Sequence, residues 1–173
     1  MTSGFAGGLL HPLTVPAHVL ALLALGLLIG RQVERRLFSL AAFMTGVIAG
    51  LAGIALAFRQ TAAGDALLGI TVVAAILVVL ATPLSGFVHA AIAVAGGVAL
   101  GMDSPPQAIS IAVATATLIG TGIGACLTLA LIAIGTSYLT RDWQRIGIRI
   151  VGSWIAASAI LVLALRFARG QLL

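Results

Sequence analysis

The chain has 173 residues, of which 61% are hydrophobic and 8% charged, and its formal net charge is +5. A soluble domain of this size needs more polar surface, so the composition predicts an all-α bundle of helices in the lipid bilayer. Every cationic residue is an arginine. In a membrane chain this excess is a topology signal and gives no reason to expect nucleic-acid binding. The lone Cys126 excludes an intrachain disulfide.

Apolar runs of bilayer length, about 20 residues, predict six transmembrane helices in a single domain, residues 1–173. These predicted helices cover roughly 9–30, 37–58, 66–81, 83–102, 107–138 and 146–167. The start MTSGFAGGLL lacks the basic residues of a cleavable signal peptide, so the first run is expected to remain as a helix. Asp65 is expected to cap the third helix. MDSPPQ, residues 102–107, is predicted to be a turn because prolines cannot continue a helix.

Arginines are unequally divided between the two predicted faces of the membrane. The loops after the first, third and fifth helices contain Arg31, Arg35, Arg36, Arg141, Arg145 and Arg149. The opposite face has Arg59, Arg166 and Arg169. The positive-inside rule therefore places the first set in the cytoplasm and both termini outside.

An internal repeat is predicted at an offset of 71 residues. Pro12, Leu13, Thr14 and His18 align with Pro83, Leu84, Ser85 and His89. The halves would be residues 1–81 and 82–173, with three helices each, so they must lie inverted in the membrane. Inverted repeats are typical of transporters, whose substrate sites lie near the midplane between the halves.

Glycines at three- and four-residue spacing predict close helix contacts. They are Gly46, Gly50 and Gly53 in the second predicted helix, and Gly120 and Gly124 in the fifth. Small residues allow helix backbones to approach one another in lipid. The alternative is that glycine is simply common in membrane helices.

Candidate metal-binding residues are His11, His18, His89 and Asp103. Ionisable groups within a membrane are costly and often mark a site or a path, and imidazole binds nickel, cobalt, copper and zinc. On a continuous helix His11 and His18 would lie about 10 Å apart along the axis. They could bind one ion only if Pro12 and Pro16 break the helix. His18 and His89 could face each other across the bundle or lie at opposite ends of a path.

Each of these residues also has a structural explanation. His11 could be an interfacial residue, a neutral histidine can bond a helix carbonyl, and Asp103 begins the DSPP turn. The sequence contains no enzyme motif, such as a nucleophile beside a base or an HExxH helix, so we expect no catalysis. It also gives no firm sign of a resident cofactor.

The opening GFAGGLLHPLTVPAHVLALLALGLL, from Gly4, resembles the HupE/UreJ family. That family comprises membrane accessory proteins of hydrogenase and urease that are regarded as nickel or cobalt permeases. His11, Pro12 and His18 match the family's opening pattern His-Pro-x-x-Gly-x-Asp-His. Val15 and Ala17 replace its Gly and Asp. The resemblance therefore implies a six-helix permease with nickel or cobalt as its cargo.

The family's second motif, His-Gly-His-Ala-His-Gly-x-Glu, is matched only in part by GGVALGMD at 96–103. Asp103 stands for the Glu, but the three histidines are replaced by Gly96, Val98 and Leu100. A histidine usual in the fifth helix is also absent. Three hypotheses stay open: a metal permease with a reduced site, a non-catalytic subunit of a larger membrane complex that has lost the metal, and a channel for a small neutral or protonatable solute. The bilayer is the expected partner, and a homo-oligomer or a partner complex stays open.

Overall fold

The computed structural model describes residues 2–32, 34–55, 62–106 and 110–170. Within these ranges every regular element is an α-helix. The helices are α1 Thr2–Thr14, α2 Pro16–Gly30, α3 Arg36–Ala55, α4 Ala63–Leu80, α5 Gly86–Met102, α6 Ile111–Ser137 and α7 Asp142–Gly170. The all-α prediction is therefore confirmed.

Helix α2 forms the centre of the bundle and contacts each of the other helices. It is apolar on all sides, as expected for a helix surrounded by protein, and its buried residues include Leu22, Leu25 and Ile29. Around it, α3 packs mainly on α5, α1 on α6, and α4 on α7. Many large apolar side chains on the outer faces are exposed, such as Phe87, Leu131 and Trp154. This distribution suits a protein whose outer surface meets lipid.

Four of the helices, α3, α4, α6 and α7, are long and apolar enough to cross a membrane. The bent pair α1–α2 makes a fifth candidate, and α5 is a shorter apolar helix. The first predicted span, 9–30, is thus not one straight helix, because the chain bends by 71° between α1 and α2. Most other boundaries fall near their predicted positions, and α5 ends at Met102, where the turn was predicted. Residues 56–61, including Arg59, and 107–109 lie outside the described ranges.

Glycines permit the closest helix crossings. On α3 and α5, a Cβ added to Gly46 or Gly97 would meet the backbone carbonyl of Val94 or Phe43. Between α1 and α6, a Cβ added to Gly120 would meet the Phe5 carbonyl, and a Cβ added to Gly124 would meet the Leu9 carbonyl. The predicted packing role is therefore confirmed for Gly46 and Gly50 in α3 and for Gly120 and Gly124 in α6, at the α3–α5 and α1–α6 contacts. The structure does not test the role of Gly53.

Candidate functional site

The break between α1 and α2 brings two histidines together. Val15 is extended, with φ −97° and ψ 113°, and Pro16 is at the first position of α2. A residue before proline avoids helical angles, and proline has no N–H to continue the α1 hydrogen bonds. The rings of His11 and His18 consequently meet edge to face, with centroids 5.5 Å apart. Pro12, which was also considered as a breaker, lies inside α1.

His18 is paired with an acidic residue from the far half of the chain. Its Nε2 lies 3.1 Å from Oδ2 of Asp103, and its own side chain is fully buried. Asp103 follows the last residue of α5, where its backbone N–H bonds the Ala99 carbonyl. The structural and functional explanations of Asp103 are thus compatible, because one residue ends the helix and holds the imidazole.

The pairing determines which nitrogen of His18 is available. A carboxylate accepts hydrogen bonds, so the proton of a neutral His18 ring lies on Nε2 and the lone pair on Nδ1. Nδ1 is buried and has no hydrogen-bond partner among the described residues. In metal sites, a ligating histidine commonly donates its other N–H to a carboxylate in this way. Asp103 therefore suits the role of an orienting residue better than that of a direct ligand.

A second carboxylate lies close to this pair. Arg166 at the end of α7 donates from Nη1 to Oδ1 of Asp65 at 3.2 Å. A Cβ on Gly64 would come 2.6 Å from Arg166 Nη1 and 2.9 Å from Asp103 Oδ1, so these groups crowd the same backbone. The expectation that Asp65 caps α4 is wrong, because the N-cap is Ala62 and no side chain caps it. Asp65 instead belongs to the polar cluster around Asp103.

A cavity of about 460 Å³ opens onto His11 at this end of the bundle. Its other lining residues include Ser104, Thr117 and Thr121, and it passes Gly7, where a Cβ would meet open space. The hydroxyl groups of these three residues donate to backbone carbonyls four residues earlier in the chain. The lone pairs of their oxygens can therefore accept from other donors or bind a cation. His11 thus connects a polar cavity to the buried His18.

His89 lies at the opposite end of the bundle. It is in the first turn of α5 while Asp103 follows the last turn, so about 21 Å of helix separates them. Its Nδ1 lies 3.2 Å from the Ser85 carbonyl, which can only accept, and Nε2 is left with the lone pair. It lines a cavity of about 280 Å³ together with Arg31 and Gln32. The structure therefore brings His11, His18 and Asp103 together but not His89.

Within the described ranges, no three or more His, Cys, Asp or Glu side chains are grouped so that they could hold a metal ion. The cluster contains the imidazoles of His11 and His18 and the carboxylate of Asp103, which is already bonded to His18. The pairing of His18 with Asp103 could not be read from the sequence, because 85 positions separate them. The only local signal of the site was the spacing of prolines between the histidines.

An apolar helix bundle with its ionisable groups gathered at the two ends is the architecture of an integral membrane protein. The chain belongs to the HupE/UreJ family, since the family model described as HupE / UreJ protein matches residues 1–162. The resemblance of the opening segment is thereby confirmed, and it places the chain among membrane accessory and transport proteins. No curated protein and no solved structure matches the chain.

Proposed function

We propose that this protein is a permease for a divalent transition metal, nickel or cobalt, in the bacterial inner membrane. One observation carries the proposal: the buried Nδ1 of His18 has no partner among the described residues while Asp103 holds the opposite nitrogen. A neutral imidazole oriented by a carboxylate is the usual form of a histidine ligand. Nickel and cobalt are well suited to imidazole nitrogen.

The cation would enter through the cavity at His11 and pass to His18. Both rings lie close enough for one ion to move between them or to be shared after small rotations, since their centroids are 5.5 Å apart. The Asp103 carboxylate supplies negative charge beside the site, and water or hydroxyl oxygens from the cavity would complete the coordination. Few protein ligands favour weak binding and fast release, which passage through a membrane requires.

His89 would be the corresponding residue on the far side. It aligns with His18 in the predicted repeat, and its Nε2 lone pair faces away from the Ser85 bond. A second cavity reaches it at the opposite end. Ions would thus meet an imidazole that lines a cavity at each end of the path, His11 at one end and His89 at the other.

The same proposal includes six spans in two inverted halves, residues 1–81 and 82–173. Helix α5 has 17 residues, about 26 Å of helix, which approaches the thickness of the hydrocarbon core. In a two-fold relation the bent pair α1–α2 corresponds to α5, α3 to α6, and α4 to α7. The α3–α5 contact then corresponds to the contact of α6 with α1 and α2, and the α4–α7 contact corresponds to itself. These pairs are all present in the packing and support a two-fold relation, although the extensive α2–α4 contact has no comparable α5–α7 counterpart among the described residues.

The arginine-rich end of the bundle would face the cytoplasm, and both termini would lie outside. A reporter enzyme that is active only outside the cytoplasm, fused after residue 173, is expected to be active. The same fusion after Arg141 should be inactive. Activity of the second fusion alone would overturn the orientation.

A non-catalytic subunit of a larger membrane complex is the second candidate. Two observations favour it: no three-ligand metal group occurs in the described residues, and the Arg31 guanidinium shares the cavity of His89. A guanidinium repels a divalent cation, which opposes passage at that end. Stable copurification with a stoichiometric partner, without metal uptake, would favour this function.

Uptake of nickel and cobalt into proteoliposomes distinguishes the two candidates. The parent protein should transport at least one of these ions, and His18→Ala should abolish transport, with His89→Ala slowing it. Thr115→Ala is a matched control, because Thr115 is exposed and bonds only a carbonyl of its own helix. Transport that both histidine substitutions leave unchanged would rule out the proposed path.

A further inference from the structure

Four arginines converge at the end of the bundle opposite His18. Arg31 Nη1 donates to the Val78 carbonyl at 2.9 Å, and Arg149 Nε donates to the Val79 carbonyl at 2.8 Å. Arg36 Nη1 donates to the Ser137 hydroxyl at 2.6 Å. Arg145 lies in the first turn of α7, shortly after the end of α6. These acceptors are neutral, so the hydrogen bonds position the guanidinium groups without balancing their charge.

Two carboxylates, Glu34 and Asp142, lie at this end beside six arginines, and neither forms an ion pair among the described residues. The two ion pairs in the described part of the chain, His18–Asp103 and Asp65–Arg166, both lie at the other end. The pKa of Arg31 is lowered from its ordinary value, first because the group is partly buried and then because Arg145 and Arg149 repel its charge. An anion bound among these groups would relieve that repulsion.

A cavity of about 250 Å³ lies between these groups and the end of α6. It is lined by Arg31 and Arg145 on one side and by the polar ends of Thr136, Ser137 and Thr140 on the other. Gly30 also lines it, and a Cβ there would come 2.6 Å from Cβ of Thr136, so glycine allows the end of α2 to pack closely on α6 beside the cavity. The hydroxyl groups of Thr136 and Ser137 donate to carbonyls of α6, so the donors that remain are the guanidinium groups and the Thr140 hydroxyl. The size of the cavity and these donors suit a tetrahedral oxyanion.

The cavity lies where lipid headgroups are expected. Tyr138 and Trp143, on either side of the α6–α7 turn, are 77% and 67% exposed. Exposed aromatic residues at helix ends are typical of the membrane–water interface. Basic pockets between helices at this level bind anionic headgroups.

We propose that this cavity binds a phosphate group, supplied by the headgroup of an anionic phospholipid. Arg31 and Arg145 would hold the phosphate oxygens, with the hydroxyl group of Thr140 as a further donor. Each guanidinium has five N–H groups, and the bonds described for Arg31 use one of them. Bound lipid would offset part of the convergent positive charge and hold α2, α6 and α7 together. This proposal is independent of metal transport.

The test uses the purified full-length protein and native mass spectrometry after exchange into mixed micelles of phosphatidylglycerol and phosphatidylcholine. We expect selective retention of phosphatidylglycerol, with about a fivefold loss for each guanidinium removed in Arg31→Gln and Arg145→Gln. Arg141→Gln is the matched control, because Arg141 is exposed at the same end and does not line the cavity. If Arg31→Gln does not fold, since Arg31 also holds the Val78 carbonyl, Arg145→Gln alone carries the test.

Equal retention of the two lipids, or an equal loss in Arg141→Gln, would overturn the proposal, because either result indicates only a diffuse surface charge. A parallel arm adds inorganic phosphate in a detergent without phospholipid. Thermal stabilisation that Arg145→Gln removes, without retention of phosphatidylglycerol, would support the oxyanion site and assign it to soluble phosphate.

Discussion

His18 and Asp103 lie 3.1 Å apart, Nε2 to Oδ2, although 85 positions separate them in the chain. The pair joins the start of α2 to the end of α5 at the mouth of the proposed path. It also leaves Nδ1 of His18 buried and without a hydrogen-bond partner among the described residues, since the carboxylate occupies the other nitrogen.

Asp103→Asn should weaken nickel binding by about 10- to 100-fold, as loss of an orienting carboxylate does in known metal sites. The amide keeps the shape of the side chain but removes the charge and can present the wrong partner to Nε2. Isothermal titration calorimetry with nickel on the detergent-purified protein measures the change. Asp65→Asn is the control, because Asp65 pairs with Arg166 instead of a histidine. An equal effect of Asp65→Asn would indicate general surface charge.

Pro16→Ala should weaken nickel binding by at least about tenfold, because it allows α1 and α2 to join into one helix. Alanine restores the N–H that would bond the Pro12 carbonyl and frees Val15 from its extended bias. The two imidazoles would then lie about 10 Å apart along the axis. Pro12→Ala, inside α1, should leave the break and the binding intact. Unchanged affinity in Pro16→Ala would show that the break does not depend on the proline.

His11→Ala and His18→Ala should be strongly non-additive if both rings serve one ion. His18→Ala alone is expected to remove most of the nickel affinity, so adding His11→Ala should cost little more. His11→Ala alone should have a smaller effect, because His18 keeps its oriented nitrogen. The four proteins of the cycle are compared by nickel titration. Fully additive losses would indicate two separate binding positions.

Gly97→Ala should lower the free energy of unfolding by about 1–3 kcal/mol, the usual cost of overpacking. Its Cβ would meet the Phe43 carbonyl and come 2.8 Å from the Val47 nitrogen, so α3 and α5 must separate. Gly135→Ala is the control, because nothing lies within 4 Å of its added Cβ. Thermal denaturation in detergent compares the two variants. A Gly135→Ala protein as unstable as Gly97→Ala would contradict the close crossing.

The sequence by itself determined that the chain is an all-α membrane protein, since few residues can meet water and the apolar runs have bilayer length. It also identified the family, because His11, Pro12 and His18 are uncommon residues at a characteristic spacing. The packing glycines of α3 and α6 could also be predicted, because their spacing places them on one face of a helix. Such features depend on composition and local geometry.

Only the tertiary structure decided which polar groups meet. Local spacing placed His11 and His18 about 10 Å apart on a continuous helix, and the break at Val15 brought their rings to 5.5 Å. The partnership of His18 with Asp103, and the separation of both from His89, arise from how α2 and α5 pack. Helix order in space depends on the sum of many close contacts, such as those at Gly46 and Gly97, and no local pattern encodes that sum.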